Sequence, residues 1–349
     1  MKKYLFFDDY SEGAHPLIFE ALTKSNFQQE SGYGNDSFSN KAKDVLRDII
    51  KNTSADIHFV SGGTQANLII ISSILKPYES VICANTGHIN IHEAGAVEAT
   101  GHKINSIKSD DGKITPEMIK QVLDFHQDEH MVKPKLVFIS NATELGTIYN
   151  KSELETLSTF CKSNNLYLYL DGARIGTAVM SKQSDLTLVD ITKLVDIYYI
   201  GGTKNGALFG EAIVIINDKL KENFRYHLKQ RGALLAKGRS IGIQFQELFK
   251  NDLYFTLAEH ANKMAYNLTE GISKLGLKFL TASNTNQIFP ILPNKIISQL
   301  EELYGFYIWN KIDQDNSAIR LVTSWATKKE IVDEFIKDLT RIQKQTSVL

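Results

Sequence analysis

Between residues 55 and 216, short apolar runs alternate with segments of helical periodicity. The runs are IHFV (57–60), SVICA (80–84), HKINSI (102–107), KLVFIS (135–140), LYLYL (166–170), DIYYI (196–200) and EAIVII (211–216). Several are apolar without alternation, the pattern of strands buried on both faces. The segments between them carry helix start signals. In TPEMIKQVL, Thr115 is placed to cap and Pro116 falls in the first turn. In SELETLSTF, Ser152 and Glu155 have the spacing of a capping box. Such alternation predicts an α/β domain built on a mostly parallel sheet. Beyond about residue 246 the pattern changes to a long helix over 252–274, short strands, a helix around KIISQLEELYG and a terminal helix over 327–345. Two domains are expected: residues 1–245, an N-terminal segment with the large α/β domain, and residues 246–349, a small α+β domain.

The 349 residues are 43% hydrophobic, enough for a core of that size. Lys and Arg number 39 against 40 Asp and Glu, a net charge of −1. That balance argues against nucleic acid or an anionic membrane as partner and favours small-molecule chemistry or protein contacts. Cys83 and Cys161 are the only cysteines and form neither a CxxC pair nor a disulfide framework. Both read as buried thiols. The opening MKKYLFFDDYSEG is broken by aspartates and reads as no signal peptide, and no segment is long and apolar enough for a bilayer. A cytoplasmic protein is expected.

In a parallel α/β sheet, ligands bind beyond the carboxyl ends of the strands. IHFV ends in Ser61-Gly62-Gly63-Thr64, opening a helix. Glycines and a helix N-terminus suit an anion, although neither nucleotide fingerprint, GxxxxGK[ST] or strand-linked GxGxxG, occurs. LYLYL ends in Asp171, a carboxylate that needs a positive partner, either Arg174 or a ligand nitrogen. DIYYI ends in Gly201-Gly202-Thr203-Lys204. A lysine stripped of solvation has a lowered pKa and can act as nucleophile or base. Together, a phosphate cradle, a strand-end aspartate and, 33 residues on, a strand-end lysine match the handles of pyridoxal phosphate. His88, after SVICA, offers a flat group to lie on its ring. His88 and His92 have HxxxH spacing, as do His126 and His130, but HExxH is absent and no metal is expected.

YGNDSFSNKAKDVL, FVSGGTQANL, GHINIHEAG, YLDGARIG and GGTKNGALFGEA occur in this order. Together they resemble the threonine aldolases, within the fold-type-I pyridoxal-phosphate enzymes and the branch shared with β-eliminating lyases. The resemblance spans nearly the whole chain. It implies that Lys204 carries the cofactor and that Asp171 pairs with its ring nitrogen. Gly63 and Thr64 would hold the phosphate, with help from Thr203. His88 would stack on the ring and help move the substrate's hydroxyl proton. Arg174 would lie near the substrate carboxylate and Arg320 would hold it. Tyr33 would reach a neighbouring subunit's site, and Lys229 and Arg239 would contact a phosphate across a dimer. One of His126 and His130 would be a second active-site histidine. A homo-oligomer, a dimer of dimers, is implied.

Two positions depart from the family pattern. FFDDYSEG places Asp8 or Asp9 where the resemblance implies a serine touching the substrate carboxylate, and NATELGTIY places Glu144 where some members have a histidine. The implied reaction is retro-aldol cleavage of a β-hydroxy-α-amino acid to glycine and an aldehyde. The alternatives are β-elimination, racemisation or amino transfer with the same cofactor, a nonenzymatic binding protein on this scaffold, and a nucleotide-dependent oxidoreductase. Lys204 argues against the second and the missing fingerprint against the third.

Overall fold

The computed structural model describes residues 3–346. The chain opens with β1 (Tyr4–Leu5). The large sheet follows, made of β2 (Asp56–Val60), β3 (Glu79–Ala84), β4 (Lys103–Ile107), β5 (Lys133–Ser140), β6 (Tyr167–Asp171), β7 (Ile197–Gly201) and β8 (Glu211–Ile215). Its order is β2-β8-β7-β6-β5-β3-β4. All neighbours pair in parallel except β8, which runs antiparallel to both β2 and β7. The apolar runs are accounted for by two cores. Val137 and Ile139 pack on one side of the sheet, Leu136 and Phe138 on the other, and Tyr198 and Ile200 oppose Ile197 and Tyr199 in the same way. Successive side chains point to opposite faces and both faces are covered, so no polar alternation is left.

Thr115 caps the helix Pro116–Phe125, as its sequence predicts. The next helix starts earlier than expected. Lys151–Ser163 is capped by Asn150, whose box partner is Glu153, and Ser152 lies inside the first turn. Asn150 and Glu153 have the same spacing two residues upstream, and asparagine caps at least as well as serine.

The C-terminal part holds β9 (Gln287–Ile288), β10 (Ile291–Pro293), β11 (Tyr304–Gly305), β12 (Tyr307–Lys311) and β13 (Asn316–Val322). β13 is the centre of a small antiparallel sheet that pairs with β9, β10 and β12. LKFL contributes only the single bridge between Phe279 and Pro290. The N-terminal strand does not join the large sheet. β1 pairs in parallel with β11, and Phe6 enters the C-terminal core beside Tyr304 and Phe335. The segment after it therefore crosses from the C-terminal part back to the large sheet. The 22-residue helix Leu253–Lys274 bridges the two parts, packing on Ile175–Val179 and on the terminal helix Lys329–Thr346. Among the described residues no helix is long and apolar enough to cross a membrane.

Candidate active site

β6 carries Asp171 to the carboxyl edge of the sheet, where it is buried. Its Oδ1 accepts from the Tyr199 hydroxyl at 2.6 Å and the Ala173 N–H at 3.0 Å, and its Oδ2 accepts from Asn67 Nδ2 at 3.2 Å. A buried carboxylate persists when its lone pairs find donors in this way. Beside it β7 ends at Gly201, and the chain turns through a short 3-10 segment, Thr203–Asn205. The two strand-end turns touch backbone to backbone. A Cβ on Gly172 would lie 1.8 Å from the Tyr199 carbonyl oxygen, and one on Gly201 would lie 2.2 Å from that of Ala173. Only glycine permits that approach.

The approach places Lys204 in the field of Asp171. Lys204 Nζ lies 5.9 Å from the centre of the Tyr10 ring, and among the described residues it makes no hydrogen bond or ion pair. Burial pushes its amine below the ordinary lysine range and Arg174 adds to that, against the pull of Asp9, Asp171 and Glu211. A lowered pKa enlarges the neutral, nucleophilic fraction.

Glu211 has no counterpart among the residues expected from sequence. It opens β8, and because β8 is antiparallel its first residue lies at the same edge as the last residue of β7. Its Oε2 accepts from the Gly202 N–H at 2.8 Å, and its Oε1 accepts from the Thr203 hydroxyl at 2.8 Å. Thr203 Oγ1 in turn accepts from the Gly210 N–H at 3.0 Å. Thr203, expected to help hold a phosphate, uses its hydroxyl here to brace the turn that presents Lys204. Burial pushes the Glu211 carboxyl up to about 8, against the bonds from Thr203 and Gly202 that favour its charge.

His88 opens the short helix His88–Ile91 just beyond β3. Its Nδ1 lies 2.7 Å from Oε1 of buried Glu93. The same oxygen accepts from Asn67 Nδ2 at 2.6 Å. A carboxylate only accepts, so Nδ1 carries a proton, and the neutral tautomer of this ring has its lone pair on Nε2. Asn67 thus joins Glu93 to Asp171, and its own Oδ1 accepts from the Tyr169 hydroxyl. Glu144 is partly buried beside His88, accepting from the His88 N–H at 2.8 Å and the Ser140 hydroxyl at 2.9 Å. Burial and then Asp171 push its carboxyl upward. Neither Asn67, in a helix, nor Glu93, in the bend after one, stands out in the sequence, since a lone polar residue has no pattern of its own.

The two expected arginines meet consecutive aspartates. Arg174 donates from Nε (2.7 Å) and Nη2 (3.1 Å) to the two carboxylate oxygens of Asp9. Asn286 Nδ2 supports the same carboxylate at 2.9 Å. Burial alone would raise the Asp9 carboxyl, but Arg174 and Lys204 hold it below its ordinary range. Arg320, on β13, donates from Nη2 to the Phe7 carbonyl at 3.0 Å and lies 3.5 Å from Asp8. Its guanidinium carbon lies 5.1 Å from the centre of the Tyr307 ring and 5.0 Å from that of Trp309. Its Nε is buried without a partner.

Other expected residues lie elsewhere in this chain. Lys229 sits 4.7 Å from the centre of the Tyr33 ring, and Arg239 donates to the Gln28 and Asn26 carbonyls. Among the described residues no hydrogen bond, ion pair or ring contact joins this group to Lys204. His126 ends the helix Pro116–Phe125, with Nδ1 2.8 Å from the Val122 carbonyl, and His130 is exposed in the loop before β5. That helix returns to the amino-terminal edge of the sheet, opposite Lys204, so neither histidine joins the cluster in its own chain. His92 packs between His88 and Trp309. Cys83 and Cys161 are buried and unpaired, and burial raises both thiols, that of Cys161 to about 12.

The cluster fits pyridoxal phosphate on its own chemistry. The helix Gly63–Ile74 begins at Gly62 with no side chain capping its first N–H groups, which leaves the amides of Gly63 and Thr64 for a phosphate. A Cβ on Gly62 would meet open space, while one on Gly63 would lie 3.0 Å from the Tyr199 hydroxyl, so the cradle adjoins the Asp171 network. The chain matches the β-eliminating lyase family over residues 8–294. It is 32% identical to a low-specificity L-threonine aldolase of Pseudomonas aeruginosa over 95% of both chains. The solved structure of a Leishmania major threonine aldolase superposes with a TM-score of 0.96 at 47% identity, covering 97% of this chain and 99% of that one. A Thermus thermophilus aspartate aminotransferase shares the fold, with a TM-score of 0.74 at 15% identity over 97% of this chain and 91% of its own. Cluster, fold and sequence thus agree, and the chain belongs to the β-eliminating lyase family of pyridoxal-phosphate enzymes.

Proposed function

We propose that the protein is a pyridoxal-phosphate-dependent aldolase that cleaves a β-hydroxy-α-amino acid, L-threonine or L-allo-threonine, to glycine and an aldehyde. The observation that carries this reading is the pair His88–Glu93. With Nδ1–H given to Glu93, the neutral His88 ring has its acceptor at Nε2, and a retro-aldol cleavage needs an acceptor for the β-hydroxyl proton. The names of the Pseudomonas aeruginosa and Leishmania major relatives support the same reaction.

When bound, pyridoxal phosphate supplies the electron sink for the bond broken at Cα. Lys204 is the amine to hold its aldehyde, Asp171 the acceptor for its ring nitrogen, and the amides of Gly63 and Thr64 the donors for its phosphate. Arg320 grips the substrate carboxylate, a charge-assisted contact that orients the Cα–Cβ bond. His88 takes the hydroxyl proton as that bond breaks. One proton returns to Cα, so glycine and aldehyde together hold the substrate's atoms. We further infer a homo-oligomer, a dimer of dimers, in which Tyr33, Lys229 and Arg239 complete a neighbouring chain's site. The two unpaired thiols suit the cytoplasm.

Purified protein given the cofactor and L-threonine is expected to release glycine and acetaldehyde in equal amounts. Ammonia and a keto acid in their place would support β-elimination and sink the aldolase reading. Glu93→Gln keeps the shape of the His88 partner and removes its charge. We expect kcat to fall roughly 10- to 100-fold with little change in cofactor affinity. An unchanged kcat would remove Glu93 from the account.

A further inference from the structure

We propose that Asp8 is a resident counter-ion of Arg320, which the substrate carboxylate must displace, so that Asp8 sets how tightly the site holds any amino acid. The inference rests on the reading of Arg320 as the carboxylate grip. Its support is the division of labour in the segment Phe7–Tyr10. Asp9 is buried and fully engaged with Arg174 and Asn286. Among the described residues Asp8, next to it, makes a single ion pair, with Arg320 at 3.5 Å.

Arg320 is prepared for a planar anion and only loosely served by Asp8. Tyr307 and Trp309 lie against the guanidinium, the Phe7 carbonyl takes one Nη2 hydrogen, and Nε is buried with no partner among the described residues. A guanidinium presents paired donors that suit a bidentate carboxylate. Asp8 approaches Nη2 alone, at a distance too long for a good charge-assisted bond. An incoming carboxylate can satisfy Nε, which Asp8 leaves open. It must still overcome Asp8, since two carboxylates on one guanidinium repel each other. Asp8 also lies against the Tyr10 hydroxyl, and the Tyr10 ring faces Lys204. Displacing Asp8 therefore also frees the Tyr10 ring that faces the lysine.

The consequence falls on ground-state binding. The holoenzyme variants Asp8→Asn and Asp8→Ser are expected to lower KM for L-threonine roughly 3- to 10-fold, with the change in KM rather than kcat. Calorimetric titration with glycine, which carries the same carboxylate and cannot be cleaved, is expected to show Kd falling by a similar factor. KM and Kd that stay put or rise in both variants would overturn the proposal. Arg320→Lys separates this from failure of the underlying reading. A raised KM in Arg320→Lys with unmoved Asp8 variants overturns the role of Asp8 alone. An unchanged KM in Arg320→Lys overturns the carboxylate grip and this proposal together.

Discussion

Lys204→Ala is expected to lower the rate of glycine formation by about four orders of magnitude or more. No nearby group can substitute. Among the described residues, Lys204 is the amine placed in the field of Asp171, and the neighbouring cation, Arg174, is a guanidinium bound to Asp9. The loss should be chemical and not structural. Lys204 makes no hydrogen bond or ion pair, so its removal leaves no partner stranded among the described residues. Relieving a buried amine of its desolvation should leave stability unchanged or slightly raised. Lys204→Arg provides a control, because it keeps a cation but cannot supply a neutral amine at neutral pH. It should be as inactive as alanine. Substantial activity in either variant would remove Lys204 from the mechanism.

Asp9→Ala is expected to have the largest effect on stability. Arg174 is nearly buried, with its side chain 11% exposed, and Asp9 is 1% exposed. Removing one member of such a pair strands the other charge, at a cost of about 3–5 kcal/mol. The midpoint of urea unfolding should fall accordingly. The pH dependence has a definite sign. The folded carboxyl of Asp9 lies below its ordinary value because Arg174 and Lys204 outweigh burial. Its contribution is therefore fully present above the unfolded value, about 3.9, and is lost as pH falls through the lower folded one. The difference between wild type and Asp9→Ala should be flat from about pH 5 to pH 8 and shrink only below about pH 4. A gap that widened toward acid would contradict the ion pair as its source.

The parts of the site that were legible in the sequence share one property: their position follows from strand order alone. Asp171 and Lys204 end apolar runs, and a run buried on both faces delivers its last residue to the carboxyl edge. Glu211 escapes that logic because it begins a strand. Only the antiparallel pairing of β8 brings it beside Gly202, and nothing in EAIVII announces direction. Asn67 matters through contacts across 26 and 104 residues of sequence, which no local pattern encodes. β1 is two residues long and finds its partner near residue 304. Its place beside β11 depends on Phe6 filling the C-terminal core. The pair His126 and His130 shows the converse. HxxxH spacing places two rings on one helical face only if the helix continues, and here it ends at Phe125.

The central claim is that Lys204 is the residue that holds the cofactor. The most direct measurement is to load the protein with pyridoxal phosphate, reduce it with borohydride, and map the modified peptide by mass spectrometry. The account predicts a single pyridoxyl group on Lys204, in the peptide containing GGTKNG, and none in Lys204→Ala. A pyridoxyl group fixed at another lysine, or none retained by the wild type, would contradict it.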